Sequence, residues 1–87
     1  MNHRATPKFW FYCRQLPEPI RSVADENLAL LKRDRRHPSL RLKTIGRYWS
    51  VRVGRRHCAL AVLDGDDFVW FWIGDHAEYD RLIADAY

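Results

Sequence analysis

Hydrophobic residues in the first part of the chain recur at helical spacing, and the first helix has clear start and stop signals. Thr6 is suited to cap a helix, and Pro7 follows it at the first helical position. The aromatic run at 9–12 continues this helix. We expect the helix to end near Gln15, because Pro17 disfavours helical backbone in the residue before it.

A second helix is predicted to follow at once, with Pro19 in its first turn. Its apolar residues form an amphipathic stripe of Ile20, Val23, Ala24, Leu28 and Leu31. His37-Pro38 ends the helical region. The first 36 residues are therefore predicted to form a helical hairpin, preceded by a few extended residues at 3–5.

After Pro38 the period of the pattern changes from that of helices to that of strands. The predicted strands are 40–45, 48–53, 57–63 and 68–73. Turn residues at Gly46, Gly54 and Asp64-Gly65 leave only short connections between them. Consecutive strands joined so closely must pair antiparallel, so the segment is predicted to form a meander.

The last strand is apolar on both faces, as expected of a central strand that is covered on both sides. Strict alternation places Trp70 and Trp72 on one face, and Phe71 and Ile73 on the other. We expect one face to meet the helical hairpin and the other to meet the C-terminal helix or a partner. Gly74 is expected to end the strand.

A short C-terminal helix is predicted next. Asp75 is suited to cap it, and Glu78 follows three residues later, as in a capping box. The predicted fold class is α+β: an N-terminal helical hairpin packed on a four-stranded antiparallel sheet, with a short C-terminal helix. Residues 1–87 are expected to form a single domain.

Composition narrows the class of protein further. The 87 residues include 12 aromatic ones, which excludes a disordered tail. No apolar run approaches the ~20 residues that span a bilayer, and no secretory signal is visible at the N-terminus. Cys13 and Cys58 lie 45 positions apart, which gives neither a metal motif nor a disulfide framework. We therefore expect an intracellular, reducing environment and no membrane partner.

Charge is divided unevenly along the chain. Residues 1–57 hold 14 basic and 4 acidic side chains, whereas residues 58–87 hold 1 basic and 7 acidic ones. The net charge is +4. A basic half of this kind suggests a polyanionic partner, with nucleic acid first. The alternative is that the acidic end folds back and neutralises the basic part.

Catalytic motifs with a fixed pattern are absent from the sequence, and the four histidines have no metal-like spacing, so no metal or cofactor is predicted. What remains is a basic set on adjacent strands and turns: Lys43, Arg47, Arg52, Arg55 and Arg56. Such cations could hold an RNA phosphate and stabilise the charge that builds on it during cleavage. The alternative is a solvated polar sheet face, which spacing alone favours.

His76 is the best single candidate for proton transfer, since an imidazole titrates near neutral pH. It lies at a strand-to-helix junction beside Asp75, with Tyr79 on the same helical face. A neutral imidazole there could accept a proton from a ribose 2′-hydroxyl. His57 could contribute from within a strand. The alternative is that His76 only packs beside Trp72 and Tyr79.

The order of these elements and several local strings resemble one known family. The strings are Leu16-Pro17, the run 37–40 with Lys43 after it, the run 49–53, and the closing run 70–79. Together they resemble the RelE/ParE superfamily of type II toxin–antitoxin toxins, and most of all a short RelE-like subgroup. The resemblance covers nearly the whole chain, from about Thr6 to Ile83.

The resemblance implies a cytoplasmic toxin that cleaves mRNA on the ribosome, that is, an mRNA interferase. It implies a catalytic set of His76, Tyr79, Arg52 and Lys43. Of the other candidates already named, Arg47, Arg55, Arg56 and His57 are expected to bind RNA. The implied partners are a cognate antitoxin, mRNA and the ribosome. Contact with operator DNA is expected only through the antitoxin, and no cofactor is implied.

One departure from the family pattern keeps other functions open. Toxins of this kind often read Tyr-Arg-Ala-Leu in the third strand of the meander, where this chain reads His57-Cys58-Ala59-Leu60. A thiol offers no positive charge in place of arginine. Arg55 or Arg56 could substitute from the turn. Otherwise the protein would act without catalysis by binding a target such as gyrase or the ribosome, or would be an inactive antitoxin-binding or RNA-binding homologue.

Overall fold

A computed structural model describes residues 2–84 of the chain. The strands are β1 His3–Ala5, β2 Lys43–Ile45, β3 Tyr48–Val53, β4 His57–Asp64 and β5 Asp67–Asp75. The α-helices are α1 Pro7–Arg14, α2 Glu18–Arg33 and α3 His76–Ala84, and a short 3-10 helix occupies Pro38–Leu40. The strands form one sheet in the order β1-β5-β4-β3-β2. The fold is α+β, as predicted.

The sheet has five strands of mixed direction, so the prediction of four antiparallel strands was wrong in number and type. Strands β2 to β5 pair antiparallel in sequence order, as their turns predict. The additional strand, β1, pairs parallel with the free edge of β5. Backbone hydrogen bonds extend this pairing at both ends of β1: Phe68 N donates to Asn2 O and Thr6 N donates to Trp70 O, each at 2.9 Å. Three residues are too few to show the alternation that identifies a strand.

The strand predicted at 40–45 is shorter than expected and begins only at Lys43. Pro38 begins the 3-10 helix instead, and the His37 ring nitrogen Nδ1 accepts a hydrogen bond from Ser39 N. Leu40 ends this helix and is fully buried, and Arg41 follows with left-handed backbone at φ 48°. The chain therefore turns at the residues where alternation alone suggested a strand.

The first two helices begin and end close to the predicted residues, but their arrangement is not the predicted hairpin. Thr6 Oγ1 accepts a hydrogen bond of 3.1 Å from Phe9 N, which confirms the cap. Helix α1 packs mainly against β5 and α2 against β3. Each helix therefore buries its apolar side on the sheet rather than on the other helix.

A β-bulge in β5 overturns the predicted facing of its aromatic residues. On β4, Leu60 and Ala61 are adjacent, yet their partners on β5 are Trp72 and Trp70. Phe71 is the extra residue, and an extra residue reverses the alternation beyond it. Trp70 and Trp72 therefore enter opposite faces of the sheet, where both are buried.

The two faces of the sheet carry separate hydrophobic clusters. The larger lies under α1 and α2 and includes Phe9, Leu31, Val51, Phe68 and Trp70. The smaller lies under α3 and is built on Leu60, Trp72 and Tyr79. Both faces of β5 are thus covered, as predicted. No helix within residues 2–84 is long and apolar enough to cross a membrane.

Gly74 was expected to end β5 but lies inside it, paired with Cys58. The indole of Trp72 occupies the space that a side chain at Gly74 would need, and an added Cβ would overlap the ring. Glycine is therefore required here by close packing, while the strand continues to Asp75.

We predict that Gly74→Ala destabilises the protein by about 1–3 kcal/mol, because the new methyl group displaces the Trp72 indole. Urea denaturation of both proteins measures the difference. In a Trp72→Phe background the smaller ring leaves room, and the same alanine should cost less. An equal cost in both backgrounds would contradict the packing explanation.

A second prediction concerns His3 in β1, whose ring nitrogen Nδ1 accepts a 3.1 Å hydrogen bond from Trp70 Nε1. The ring stacks on Phe68 at 5.2 Å. Burial lowers the pKa of His3, and the positive charge of Lys32 lowers it further. The unfolded chain therefore takes up a proton on His3 more readily than the folded protein does. The stability that depends on neutral His3 is full above about pH 6.5 and is lost as the pH falls towards the lowered pKa. Melting temperatures between about pH 7.5 and pH 5 should fall more for the wild type than for His3→Gln. Melting temperatures that fall equally in the two proteins would contradict this prediction.

Candidate functional site

A concavity of about 260 Å³ opens on the α3 side of the sheet. It lies where the ends of β2, β3 and β4 meet the first turn of α3. The lining residues are Arg41, Lys43, Ser50, Arg52, Arg55, His57, Cys58, His76 and Tyr79. We call this concavity the basic pocket.

Strand register explains how residues far apart in sequence reach the basic pocket. Lys43 on β2 is paired with Ser50 on β3, and Arg52 on β3 is paired with Cys58 on β4. Alternation points Ser50 and Arg52 away from the core under α1 and α2, to which Val51 belongs. The polar face of the meander and the start of α3 thus form one site.

The basic pocket carries a concentrated positive charge. Four of its nine lining residues are lysine or arginine, and none is acidic. Within residues 2–84, no carboxylate oxygen lies within 4.0 Å of a side-chain nitrogen of these four cations. Cations that converge in one concavity without a carboxylate partner among the described residues suit an anionic ligand such as a phosphate.

Arg52 is held in place by bonds that leave the end of its guanidinium open. Its Nε donates a 3.0 Å hydrogen bond to the carbonyl of Gly54. Its own carbonyl accepts a 3.0 Å bond from the Asn27 side chain on α2. Gly54 adopts left-handed backbone at φ 65°, which brings its carbonyl back towards the strand. The Arg52 head is therefore positioned before any ligand binds.

His76 is the first residue of α3, and two hydrogen bonds hold the backbone around it. Its N–H donates a 2.8 Å bond to the carbonyl of Arg56 in the turn before β4. The adjacent Asp75 caps the helix, since its Oδ1 accepts a 2.9 Å bond from Glu78 N. The predicted cap is confirmed, and it ties the start of α3 to the end of β5.

The His76 ring is exposed rather than packed beside Trp72. Its side chain is 62% exposed and stacks on the Tyr79 ring at 5.4 Å. One ring nitrogen, Nε2, lies 3.5 Å from Asp80 Oδ1, and the other, Nδ1, lies 3.9 Å from Cys58 Sγ. The imidazole can therefore exchange a proton with a bound molecule while Asp80 orients it.

Two buried polar atoms belong to residues of the basic pocket. His57 Nδ1 and the Tyr79 hydroxyl have no hydrogen-bond partner within residues 2–84. Buried polar groups are normally paired, and exceptions call for an explanation. Both atoms lie beneath the surface of the basic pocket, so their residues line it without presenting these polar atoms to solvent.

Cys58 lies among the cations of the basic pocket, at the position where the sequence resemblance led us to expect arginine. Burial raises the pKa of the Cys58 thiol, and the positive charges of Lys43 and Arg52 oppose this effect. The thiol therefore stays neutral at neutral pH and adds no charge. Of the two arginines expected to substitute for the missing one, Arg55 lines the pocket.

The structure brings most of the predicted site residues together. Those that line the basic pocket are Lys43, Arg52, Arg55, His57, His76 and Tyr79. Arg47 and Arg56 do not line it. The Arg47 guanidinium lies over the Tyr48 ring at 5.3 Å, and Arg56 contributes its backbone carbonyl to His76.

Two lining residues were missed by sequence reasoning. Ser50 is only 3% exposed, and its alternation with Arg52 on one strand was the signal that could have found it. Arg41 was predicted to lie in a strand. No sequence signal placed it at the basic pocket, because its position depends on the 3-10 helix before it.

Comparison with known proteins adds the fold family. No protein-family model matches the chain, and no curated protein matches it. Solved structures do match. A chain of the RelB–RelE antitoxin–toxin complex from Methanococcus jannaschii is 18% identical with a TM-score of 0.71, and the alignment covers 90% of this chain and 96% of that one. YafQ from Escherichia coli is 9% identical with a TM-score of 0.71, covering 88% and 94%. A YoeB/ParE toxin from Agrobacterium tumefaciens is 14% identical with a TM-score of 0.67, covering 87% and 99%.

The chain has the RelE/ParE toxin fold. The resemblance inferred from sequence strings is thereby confirmed for the fold, over nearly the whole length of this chain and of those it matches. At such low identity the likeness extends to the RelE/ParE architecture and not to individual side chains. The chemistry of this RelE/ParE-like protein must be argued from its own pocket.

We predict that Cys58 reacts slowly with iodoacetamide at neutral pH, since burial keeps the thiol protonated. Alkylation is followed by intact mass in a Cys13→Ala variant, which leaves one thiol. Lys43→Gln should slow the reaction further, because it removes a charge that lowers the thiol pKa. Arg21→Gln, an equal change in charge on exposed α2, serves as the control. Faster alkylation in Lys43→Gln than in the control would refute this electrostatic assignment.

Proposed function

We propose that this protein, as a single domain of 1–87, is the toxin of a type II toxin–antitoxin system and acts as a ribosome-dependent mRNA endoribonuclease. One observation carries the proposal: a RelE/ParE fold brings together, around one concavity, an exposed imidazole, the Tyr79 ring and four cations that have no carboxylate partner within residues 2–84. That combination suits a phosphodiester and a proton transfer at the same site.

The proposed reaction is attack by a ribose 2′-hydroxyl on the adjacent phosphate. The 2′-oxygen forms a bond to phosphorus while the bond to the 5′-oxygen of the next nucleotide breaks. His76, whose ring stacks on Tyr79, accepts the 2′-hydroxyl proton, and the leaving 5′-oxygen takes up a proton from water. The products are a 2′,3′-cyclic phosphate and a 5′-hydroxyl end.

The cations of the pocket act on the phosphate. Arg52 and Lys43 stabilise the negative charge that grows on its oxygens, and Arg55 adds a third positive charge. Arg52 is already fixed by its bond to Gly54, so little rearrangement is needed when the charge develops. Asp80 Oδ1 lies 3.5 Å from His76 Nε2 and therefore flanks the ring that accepts the proton.

An antitoxin is the proposed protein partner. The similar archaeal structure is an antitoxin–toxin complex, and the basic first part of this chain offers a surface that an acidic antitoxin segment would neutralise. Operator DNA would be contacted through that antitoxin. We propose a cytoplasmic location, where mRNA and ribosomes are present.

A second function is favoured by one observation, the neutral Cys58 among the cations. With one charge fewer at the phosphate, the protein would bind a macromolecular target such as the ribosome or gyrase without cleaving RNA. An inactive RNA-binding or antitoxin-binding homologue would leave the same pocket. These alternatives differ from the nuclease in whether new RNA ends are formed.

Controlled expression in a bacterial host, with and without the neighbouring antitoxin gene, tests the proposal. We expect growth arrest and new mRNA 5′-hydroxyl ends, both suppressed by the antitoxin. His76→Ala should reduce cleavage by about 10²-fold or more, since it removes the proton acceptor. Arg52→Gln should reduce it too, and Arg21→Gln should not.

The outcomes separate the candidate functions. Growth arrest without new RNA ends would favour a non-catalytic target binder. Full cleavage by His76→Ala, with the variant present at wild-type levels, would refute the catalytic role of this histidine. Circular dichroism of each purified variant checks that it is folded.

A further inference from the structure

A second concavity, of about 540 Å³, opens on the face of the sheet under α1 and α2, opposite the basic pocket. It is lined by Arg35, Arg36, His37, Pro38, Arg41, Leu42, Trp49 and Phe68. Arg41 lines both concavities, so the two meet at one cation near the β2 edge of the sheet. We call the second concavity the arginine–tryptophan groove.

The arginine–tryptophan groove combines positive charge with a flat aromatic surface. Arg36 and Arg41 are exposed, and Trp49 is half-buried on β3. The Trp49 ring stands edge-on to the Phe68 ring at 5.3 Å and 87°, a contact that favours this orientation of the indole. A fixed indole beside arginines offers a stacking surface for a base and contacts for the phosphates on either side of it.

Arg41 adopts a backbone conformation that does not favour arginine. Its φ is 48°, and it is the one non-glycine residue with positive φ in the part of the chain the structure describes. This conformation caps the 3-10 helix, where Arg41 N donates to the Pro38 carbonyl at 3.3 Å. Glycine or asparagine would adopt it more easily. The chain therefore accepts a conformational cost at the residue that joins the two concavities, a pattern typical of functional positions.

The surrounding segment adds to the charge. The run 32–41 contains five lysine or arginine residues and one acidic residue, Asp34. Asp34 Oδ1 accepts a hydrogen bond from the backbone of Arg36, and Asp34 lines neither concavity. The side chain of Arg36 is thus available to an anion in the groove.

We propose that a single RNA strand runs from the basic pocket around the β2 edge of the sheet, past Arg41, into the arginine–tryptophan groove, where a nucleotide more than two positions from the cleaved phosphate stacks on Trp49. The assignment of the ligand as RNA rests on the proposed function. The groove then binds the substrate outside the reacting phosphate, and it increases affinity without taking part in the chemistry.

Binding of two labelled, uncleavable 2′-O-methyl RNAs tests this inference by fluorescence anisotropy. A trinucleotide fills only the basic pocket, whereas a nonanucleotide also reaches the groove. Wild-type protein should bind the longer RNA more tightly at low salt. Arg36→Gln should weaken nonanucleotide binding about tenfold and leave the trinucleotide unchanged, because Arg36 lines only the groove.

Arg41→Asn provides a second, conformationally favourable variant. Asparagine tolerates left-handed backbone, so the protein should be at least as stable as the wild type. Loss of one phosphate contact should reduce the slope of log affinity against log salt by about 0.7 for the nonanucleotide. Arg21→Gln, which lines neither concavity, is the control for charge alone.

Equal nonanucleotide affinity of Arg36→Gln, Arg41→Asn and the control would overturn the inference, as would a wild-type protein that binds neither RNA. A DNA strand of the same sequence that binds more tightly than the RNA would overturn the choice of ligand. If the variants weaken binding as expected while expression produces no new mRNA ends, the groove stands and the nuclease function fails. If new mRNA ends appear and the variants bind RNA normally, the nuclease function stands and the proposed role of the groove fails.

Discussion

One extra residue in β5 determines how the two sides of this protein are built. Because Phe71 forms a bulge, Trp70 completes the core under α1 and α2 while Trp72 passes to the opposite face. Without the bulge, both indoles would lie on one side, and α3 would have little apolar surface to pack on. Trp72 and Leu60 instead hold Tyr79, and through it the helix that carries His76.

The position of the basic pocket follows from this division of the sheet. Helix α3 is short and covers only part of its face, so the polar ends of β2, β3 and β4 stay open beside it. Two of the four cations, Lys43 and Arg52, come from strands, and the register of the sheet fixes their direction. Arg41 and Arg55 come from the connections beside those strands.

Sequence reasoning succeeded where a local signal determined the structure and failed where a distant partner did. The Thr6 cap and the short glycine turns are local, so the helix boundaries and the antiparallel pairing followed from them. Strand β1 exists only because β5 offers a free edge, and Arg41 turns only because the 3-10 helix precedes it. For the site, alternation placed Lys43 and Arg52 together, but nothing in the sequence placed Arg47 outside the pocket. The bulge at Phe71 has no sequence signal, since every residue around it is apolar.

The parallel pairing of β1 with β5 affects when the chain can fold during its synthesis. His3 is made long before its partner in the sheet, Phe68. A nascent chain leaves the ribosome from its N-terminus, so β1 must wait until β5 has been made before it can pair. The meander and the start of α3, which together form the basic pocket, also follow β1 in the chain. A chain that stops before β5 therefore has neither a partner for β1 nor a complete basic pocket.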